Sequence, residues 1–313
     1  MQKKNGLSIA VIIPCFNEAI TISGVIRSIK KNLPQANIYI FDNNSTDGTA
    51  LIAKKSGAIV RKISNQGKGN VVRKMFSDIE AEIYIMVDGD DTYEISDVNK
   101  HIRKLMDEKL DMLVGKRVSS EKKAYRVGHR LGNKLITFTI SSIFKNNLED
   151  ILSGYRLFSK RFVKSFPAIS NGFEIETELT IHAYKLKMAC DEVPVEYKAR
   201  PIGSLSKLST FKDGFLILFT IVKLFEQEKP FHFFSLISLL SFILSLTISI
   251  PIIKQFLLTG LVPKIPSAII CASLIIISCI LFLCGIIIRS ITQARTEQKY
   301  LSYLSIKHPA ENL

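Results

Sequence analysis

Two aspartates stand one residue apart where an apolar stretch of the sequence ends. Residues Ile83 to Val87 read IYIMV, and Asp88, Gly89 and Asp90 follow directly. Carboxylate oxygens are hard ligands that hold Mg²⁺ or Mn²⁺, and an ion held in this way can bridge the diphosphate of a substrate. We therefore predict that Asp88 and Asp90 bind a divalent cation. Solvated acidic loops share the Asp-X-Asp pattern, so the prediction depends on the motifs around it.

Three further polar segments follow apolar stretches in the first third of the chain. The first is PCFNE, in which Asn17 and Glu18 leave the apolar stretch, and the second is DNNSTDGT at 42–49. The third is NQGKG at 65–69, whose glycines permit close backbone approach while Lys68 can meet a phosphate. Each segment alone reads as an ordinary turn. Four such segments converging on one edge of a sheet would form a binding site.

The apolar stretches alternate with segments of helical periodicity, which predicts an α/β fold with a mainly parallel sheet covered by helices. Ligands of such sheets bind where the strands end, and the four polar segments fall at those points. The predicted strands are Ser8–Ile13, Asn37–Phe41, Ala58–Ile63, Ile83–Val87 and Asp111–Gly115. The predicted helices are Glu18–Lys31, Thr49–Lys55, Gly69–Ile79 and Val98–Glu108.

Two long apolar stretches lie near the end of the chain, at Phe231–Ile253 and Ile265–Ile288. Each exceeds the roughly 20 residues that a helix needs to cross the hydrocarbon core of a bilayer. A buried helix hairpin would need a larger domain around it than this chain provides. We therefore predict two transmembrane helices.

Basic residues flank the outer ends of this predicted helix pair, whereas the loop between its helices carries only Lys254 and Lys264. By the positive-inside rule, both termini and the catalytic domain are then expected on the cytoplasmic face of the inner membrane. The predicted organisation is a catalytic domain at 1–208, a juxtamembrane amphipathic helix at 209–230, two spans within 231–288 and a tail at 289–313. A second amphipathic segment, Tyr125 to Phe144, is expected either at the membrane interface or in the core.

The formal net charge of +14 suits a protein that lies against anionic lipid and handles phosphorylated substrates. Nucleic-acid binding would also explain a positive net charge, but the sequence contains nothing that resembles a nucleic-acid-binding module. The five cysteines include no pair at zinc-ligand spacing. We expect neither disulfides nor a zinc site.

In their order and spacing, the four N-terminal motifs resemble the nucleotide-sugar-binding half of family 2 glycosyltransferases, whose Rossmann-like fold is called GT-A. The resemblance implies that Pro14, Glu18 and Asp42 contact the nucleoside and that Asp88 and Asp90 are the metal-binding pair. Thr92 stands where some relatives place a third polar metal contact. The nucleotide-sugar-binding set predicted from these motifs is Pro14, Asn17, Glu18, Asp42, Asn44, Asp47, Lys68, Asp88 and Gly89.

The second half of the chain resembles one subgroup of that family. The segment DILSGYRLFSKR at 150–161 is similar to the acceptor-site motif of dolichyl-phosphate mannose synthases and bacterial polyprenyl-phosphate glycosyltransferases. The segments GKR at 115–117 and YKARPIGSLSKL at 197–208 look like further pieces of that subgroup. The resemblance implies that four basic residues hold the lipid phosphate: Arg117, Arg156, Arg200 and Lys207. One departure from the family pattern is Asn43, because many relatives carry a second acid after the residue that corresponds to Asp42.

The resemblance implies an inverting, Mg²⁺- or Mn²⁺-dependent transfer of a sugar from a UDP- or GDP-sugar to a polyprenyl phosphate. Asp90, with the metal, and Asp150, near the reaction centre, are the predicted catalytic residues. Since an alkyl phosphate with a second pKa near 6 is largely a dianion at pH 7, it needs little help from a base. Asp150 is therefore expected to orient the acceptor rather than to take a proton.

Several alternatives stay open at this point. The acceptor could be a diphospholipid-linked sugar or a glycerolipid, or the chain could be a non-catalytic membrane scaffold for a partner such as a flippase. A processive polysaccharide synthase is disfavoured because those enzymes carry a Gln-X-X-Arg-Trp element and this chain has no tryptophan. Small residues in the second span would allow close helix packing within the pair or in a homo-oligomer: Ser267, Ala268, Ala272 and Ser273.

Overall fold

The computed structural model describes residues 7–118, 137–138, 140, 144, 148–167, 175–201, 222–223 and 225–311. The chain forms two compact units, one made of 1–214 with 298–313 and the other of 215–297. The sequence prediction of amphipathic segments at 125–144 and 209–230 lies largely outside the described residues, and so does Lys207.

The first unit contains a seven-stranded sheet with the order β3-β2-β1-β4-β6-β5-β7. Neighbouring strands β1, β2, β3 and β4 run parallel, so their carboxyl ends meet at one edge. The strands are β1 (Ile9–Cys15), β2 (Asn37–Asp42), β3 (Ile59–Lys62), β4 (Ile83–Met86), β5 (Met112–Val118), β6 (Arg156–Ser159) and β7 (Cys190–Glu196). The prediction of a mainly parallel α/β sheet is confirmed.

Helices connect these strands. In the first unit they are α1 (Ile22–Asn32), α2 (Thr49–Lys55), α3 (Lys68–Asp78), α4 (Val98–Asp107), α5 (Lys160–Ser165) and α6 (Ile175–Lys185). In α1 the side chains of Ile22, Val25, Ile26 and Ile29 are buried, because their helical spacing places them on one face. They pack with the buried side chains of β1 and β4 in one apolar core. This core holds the strand ends, and therefore the polar loops, in fixed positions.

The sequence did not predict β6, β7 or α6. Strand β6 inserts antiparallel between β4 and β5, pairing Met86 with Arg156 and Val114 with Arg156. Strand β7 lies at the edge of the sheet and contains Pro194, a residue that edge strands tolerate. The insertion of β6 brings the acceptor-site motif at 150–161 beside the aspartates that follow β4.

Helix α1 begins at Ile22 rather than at Glu18 as the periodicity indicated. The residues before it are tied to the loop after β2. The backbone N–H of Glu18 donates to Thr49 Oγ1 at 2.8 Å, and that of Ala19 donates to Asp47 Oδ2 at 2.9 Å. These bonds to side chains replace the first turn of the helix and fix the loop beside the sheet edge.

The two long helices among the described residues of the second unit are α7 (Pro230–Thr259) and α8 (Ile265–Leu304), and α8 continues past Glu297 into the first unit. Both are long and apolar enough to cross a membrane. Serine hydroxyls join them: Ser238 Oγ donates to the carbonyl of Ser278 at 2.8 Å, and Ser245 Oγ donates to that of Cys271 at 3.0 Å. Of the predicted packing residues, Ser267 and Ala268 are half-buried and Ala272 and Ser273 are exposed, so packing of the latter two in a homo-oligomer stays a prediction.

The end of the chain, 298–313, belongs to the first unit and contacts its other segments. Tyr303 donates its hydroxyl to Asp111 Oδ2 at 2.9 Å, and the Arg161 guanidinium lies 4.7 Å from the centre of the Tyr303 ring. His308 Nε2 lies 2.9 Å from the carbonyl oxygen of Leu110, before a short 3₁₀ helix at Pro309–Glu311. The sequence had predicted 289–313 only as a tail, and this docked segment was not foreseen.

Candidate active site

A cavity of about 320 Å³ opens at the carboxyl edge of the parallel strands. It collects the loops that follow β1, β2, β3 and β4, as the sequence predicted. Its lining residues are Pro14, Cys15, Phe16, Glu18, Asn43, Gln66, Gly67, Lys68, Val71, Asp88, Gly89, Asp90 and Arg200. Six residues of the predicted nucleotide-sugar and metal sets therefore share one cavity with Arg200, which was predicted from the acceptor half of the chain.

The two predicted metal ligands face cations across this cavity. Lys68 Nζ lies 2.6 Å from Asp88 Oδ1, and an Arg200 nitrogen lies 2.6 Å from Asp90 Oδ2. Thr92 Oγ1 donates to Asp90 Oδ1 at 2.6 Å. Burial and the negative charge of Asp88 raise the pKa of Asp90, although Arg200 opposes this shift. Burial also acts to raise the pKa of Asp88, but the charge and hydrogen bond of Lys68, together with the charges of Arg200 and Arg117, lower that pKa.

The chemistry of this pair fits a hard divalent cation. Two carboxylates that repel one another in a partly buried cavity favour a shared positive charge. Gly154 supports this arrangement, since a Cβ at this position would collide with the Asp88 carboxylate. Within the described part of the chain, no group of three or more His, Cys, Asp and Glu side chains forms a complete ligand set. A divalent ion held by Asp88 and Asp90 would thus take its other ligands from the substrate or water, as Mg²⁺ commonly does.

Sequence reasoning missed Glu176, which contacts Lys68 from helix α6. Lys68 Nζ lies 2.6 Å from Glu176 Oε1, so one ammonium bridges Asp88 and Glu176. Burial acts to lower the pKa of Lys68, but the two carboxylates raise it well above its ordinary value. No spacing rule links Glu176 to residues so distant in the sequence, and helix α6 itself was not predicted.

Arg117 and Asp150 form a second charged pair, on β5 and just before β6. Arg117 donates from Nε to Asp150 Oδ2 and from a terminal nitrogen to Oδ1, both at 2.7 Å. The guanidinium also lies 5.5 Å from the centre of the Tyr197 ring. Both side chains are largely buried, with 18% of Arg117 and 8% of Asp150 exposed. Since both carboxylate oxygens are engaged, this pair is a fixed structure rather than a flexible surface contact.

The prediction for Arg156 does not fit its position. This side chain is fully buried, and its donors are used within the protein. They reach the carbonyl of Ser153 at 3.0 Å, Thr180 Oγ1 at 2.9 Å and the carbonyl of Ile151. A phosphate on the surface cannot reach such a guanidinium, so Arg156 is a packing residue that joins β6 to α6. The lipid-phosphate role came from the family resemblance, which does not show that the Arg156 side chain is buried here.

The predicted nucleotide-binding residues divide into two groups. Asp42 ends β2 with 2% of its surface exposed, and its Oδ1 has no hydrogen-bond partner within the described residues. Asn17, Asn44 and Asp47 join neighbouring loops, and like Asp42 they do not line the cavity. Asn17 Oδ1 accepts from the backbone of Thr46 at 2.8 Å, for example. Burial acts to raise the pKa of Asp47, but hydrogen bonds from the side chain of Thr49 and from the backbone lower it.

Asn43, which departs from the family pattern, holds the loop that leads to Lys68. Its Nδ2 donates to the carbonyls of Ile63 at 3.2 Å and Asn65 at 2.8 Å, while its Oδ1 accepts from the backbone of Gly67 at 2.7 Å. Gly67 has a φ of 127°, which L side chains rarely adopt. An amide supplies both the donors and the acceptor that this loop requires, whereas a carboxylate would lack the donors.

Residues 10–166 match the model of the glycosyl transferase family 2. This chain belongs to that family. It is therefore a glycosyltransferase, and the prediction of enzyme class from the four N-terminal motifs is confirmed.

Two archaeal proteins are similar to this glycosyltransferase over more than half of its length. Glycosyltransferase AglJ of Haloferax volcanii is 34% identical over 229 residues, which are 72% of this chain and 75% of that protein. A UDP-N-acetylglucosamine–dolichyl-phosphate N-acetylglucosaminyltransferase of Methanococcus voltae is 27% identical over 217 residues, 60% of this chain and 84% of that protein. The predicted resemblance to the subgroup that acts on dolichyl phosphate is thus confirmed.

A solved structure agrees with the fold of this glycosyltransferase. It is the glucosyl-3-phosphoglycerate synthase of Mycobacterium tuberculosis in complex with Mn²⁺, uridine diphosphate and phosphoglyceric acid. It aligns with a TM-score of 0.54 at 21% identity and covers 71% of this chain and 79% of its own. With the strand order above, this likeness confirms the predicted GT-A fold.

Proposed function

We propose that this glycosyltransferase moves a sugar from a nucleotide-sugar to the phosphate of a polyprenyl lipid, with inversion at the anomeric carbon. The observation that carries the proposal is the pairing of Asp90 with Arg200 at 2.6 Å. Asp90 belongs to the donor motif that follows β4, and Arg200 belongs to the segment that resembles the acceptor half of the lipid-phosphate subgroup. Their contact supports a reaction in which donor and acceptor meet in one cavity.

The donor side accounts for the nucleotide. The unpartnered Oδ1 of Asp42 is a buried acceptor, and such an atom favours a ligand that donates an N–H. Lys68 provides a cation for the diphosphate. A divalent ion at Asp88 and Asp90 would neutralise charge on the leaving diphosphate. The Mn²⁺ and uridine diphosphate in the mycobacterial synthase support both assignments, with Mg²⁺ or Mn²⁺ as the ion.

The acceptor side uses arginine. Arg117 is aligned by Asp150, and Arg200 lines the cavity, so the two guanidiniums offer planar donors to phosphate oxygens. Lys207 remains the third proposed contact. The name of the Methanococcus voltae relative specifies dolichyl phosphate as its acceptor. A phosphate dianion bound by these residues attacks the anomeric carbon, a new carbon–oxygen bond forms, and the bond to the nucleoside diphosphate breaks.

The second unit suits a lipid acceptor. Helices α7 and α8 are long and apolar enough to span a bilayer, and most of their large apolar side chains are exposed. We propose that both span the inner membrane and that the catalytic unit works on its cytoplasmic side, because basic residues flank the outer ends of the pair. This places the enzyme beside an acceptor whose polyprenyl chain is itself in the bilayer.

The test is transfer of radiolabelled sugar to undecaprenyl phosphate by the purified full-length protein, using a panel of UDP- and GDP-sugars with Mg²⁺ or Mn²⁺. One donor is expected to label an extractable lipid, and the label should be released by mild acid. Removal of the metal with EDTA, or Asp90→Asn, is expected to lower the rate by about a hundredfold or more because charge on the leaving group is no longer neutralised. Transfer that survives both changes would exclude the proposed metal site.

A further inference from the structure

Glu176 reaches the active site from an element that carries none of the recognised motifs. It lies in the first turn of helix α6 with 4% of its surface exposed. Its Oε1 contacts Lys68 Nζ at 2.6 Å, and the Lys68 side chain is only 11% exposed. Lysine has a flexible four-carbon stem and loses rotamer freedom when it is fixed. A buried carboxylate beside it limits the positions that the ammonium can adopt.

The ammonium of Lys68 has two carboxylate partners with different surroundings. Asp88 belongs to the pair that fits a divalent ion, whereas Glu176 reaches Lys68 from helix α6. A divalent ion bound to Asp88 would neutralise the charge of this carboxylate and would weaken the ion pair between Asp88 and Lys68. Glu176 would keep its own contact with Lys68 under those conditions. The second partner thus provides an anchor that does not depend on the metal.

The backbone that carries Lys68 is fixed as well. Lys68 is the first residue of α3, directly after Gly67, whose N–H is held by Asn43. Helix α6 is also held in place, because Thr180 accepts a hydrogen bond from the buried Arg156 at 2.9 Å. Both ends of the contact between Lys68 and Glu176 therefore rest on rigid elements. Such support is typical of a preorganised binding group.

We infer that Glu176 is a positioning residue that holds the Lys68 ammonium at the cavity wall for the diphosphate of the nucleotide. The inference rests on the proposed function, since it takes a nucleoside diphosphate as the ligand. A residue that only balances charge would act in the opposite direction. Removing its negative charge would reduce repulsion and would strengthen binding of a diphosphate.

The test measures binding of UDP and GDP to the full-length protein in detergent by calorimetry, once with Mn²⁺ and once with EDTA. The variants are Glu176→Gln, Glu176→Asp, Lys68→Gln and the double variant Glu176→Gln/Lys68→Gln. Glu176→Asp keeps the charge but shortens the side chain by one methylene. Glu178→Gln is the matched control, because Glu178 lies half-buried on the same helix. Melting temperatures check that each variant is folded.

Both Glu176 variants are expected to weaken binding of the nucleotide about fivefold or more, with and without metal. The double variant is expected to bind no more weakly than Lys68→Gln alone, because Glu176 acts through Lys68. Tighter binding by Glu176→Gln, unchanged binding by Glu176→Asp, or additive losses in the double variant would each overturn the inference. Wild-type protein that bound neither UDP nor GDP would instead overturn the proposed function together with the inference.

Discussion

Arg117 holds Asp150 through two parallel hydrogen bonds of 2.7 Å, one to each carboxylate oxygen. The backbone N–H of Arg117 also donates to Asp150 Oδ2 at 3.1 Å, and Glu192 accepts the backbone N–H of Asp150 at 2.8 Å. A carboxylate bound in this way is firmly oriented, and its oxygens already have donors. This arrangement favours an Asp150 that aligns Arg117 over an Asp150 that removes a proton.

Asp150→Asn is accordingly expected to act on binding of the acceptor. The amide keeps one acceptor oxygen but loses the charged bidentate contact, whose loss costs about 1.5–3 kcal/mol. The KM for polyprenyl phosphate should rise by about tenfold to a hundredfold, while kcat keeps the same dependence on pH. Steady-state kinetics at several pH values measure both quantities. A fall in kcat of about a thousandfold with a changed pH profile would identify Asp150 as a general base.

Asn43→Asp is expected to raise the KM for the nucleotide-sugar about tenfold. The carboxylate would face the carbonyls of Ile63 and Asn65 without a hydrogen to donate, at a cost of about 1–3 kcal/mol, and the loop before Lys68 would move. Asn99→Asp serves as the control, because Asn99 donates one amide hydrogen to the carbonyl of Asn32 at 2.8 Å on the surface. Equal KM values for the two variants would show that Asn43 does not position this loop.

His182 is expected to make the stability of the folded enzyme depend on pH. It is 4% exposed, its Nε2 lies 3.0 Å from Ser165 Oγ, and its ring packs against Phe162 and Phe166. Burial, with the charges of Lys299 and Lys185, lowers the pKa of His182 to about 3. The unfolded chain binds a proton near pH 6.5 while the folded one does not, so stability falls as pH decreases below 6.5.

From protonation of His182 alone, the free energy of unfolding should be about 1.4 kcal/mol lower at pH 5.5 than at pH 8. Thermal unfolding of the wild type and of His182→Phe at both pH values measures this contribution, since the phenylalanine has no proton to bind. Between pH 8 and pH 5.5 the wild type is expected to lose about 1.4 kcal/mol more stability than His182→Phe. A difference that does not change with pH would show that His182 can be protonated in the fold.

Tyr303→Phe is expected to lower the free energy of unfolding by about 1.5–3 kcal/mol, because the hydroxyl donates to the buried carboxylate of Asp111. Asp111 also accepts from Ser159 at 2.7 Å and from Arg161, so it ties the end of the chain to β6 and α5. Tyr300→Phe is the control, because Tyr300 is 44% exposed and its ring stacks on Tyr303. Equal melting temperatures for both variants would show that this contact adds nothing to stability.

The donor half of the fold was predicted well from the sequence, because each of its strands and the polar loop that follows it are neighbours in the sequence. Strands β1 to β4 are short apolar stretches that lead directly into polar loops, and parallel strands bring those loops to one edge without any further information. Asp88, Asp90 and Lys68 could therefore be brought together from spacing alone. The family resemblance added the acceptor residues Arg117 and Arg200, which no periodicity connects to this edge.

The errors come from contacts between distant parts of the chain. Strand β6 has only four residues and enters the sheet antiparallel, so its burial of Arg156 depends on partners that sequence periodicity cannot identify. Helix α6 is buried on most of its faces and shows no amphipathic pattern, which hid both the helix and Glu176. The docked tail depends on contacts of Tyr303 and His308 with Asp111 and Leu110, which lie 192 and 198 residues earlier in the sequence.

The identity of the acceptor is the central claim, and a comparison of acceptors tests it most directly. The full-length enzyme, in bilayer discs with its labelled donor, would be offered undecaprenyl phosphate, a diphosphate-linked lipid sugar and diacylglycerol in turn. We predict that only undecaprenyl phosphate becomes labelled, in a product that carries one sugar on one phosphate. Label that enters the diphosphate-linked sugar or diacylglycerol, with undecaprenyl phosphate unlabelled, would contradict the assignment of a lipid phosphate as the attacking group.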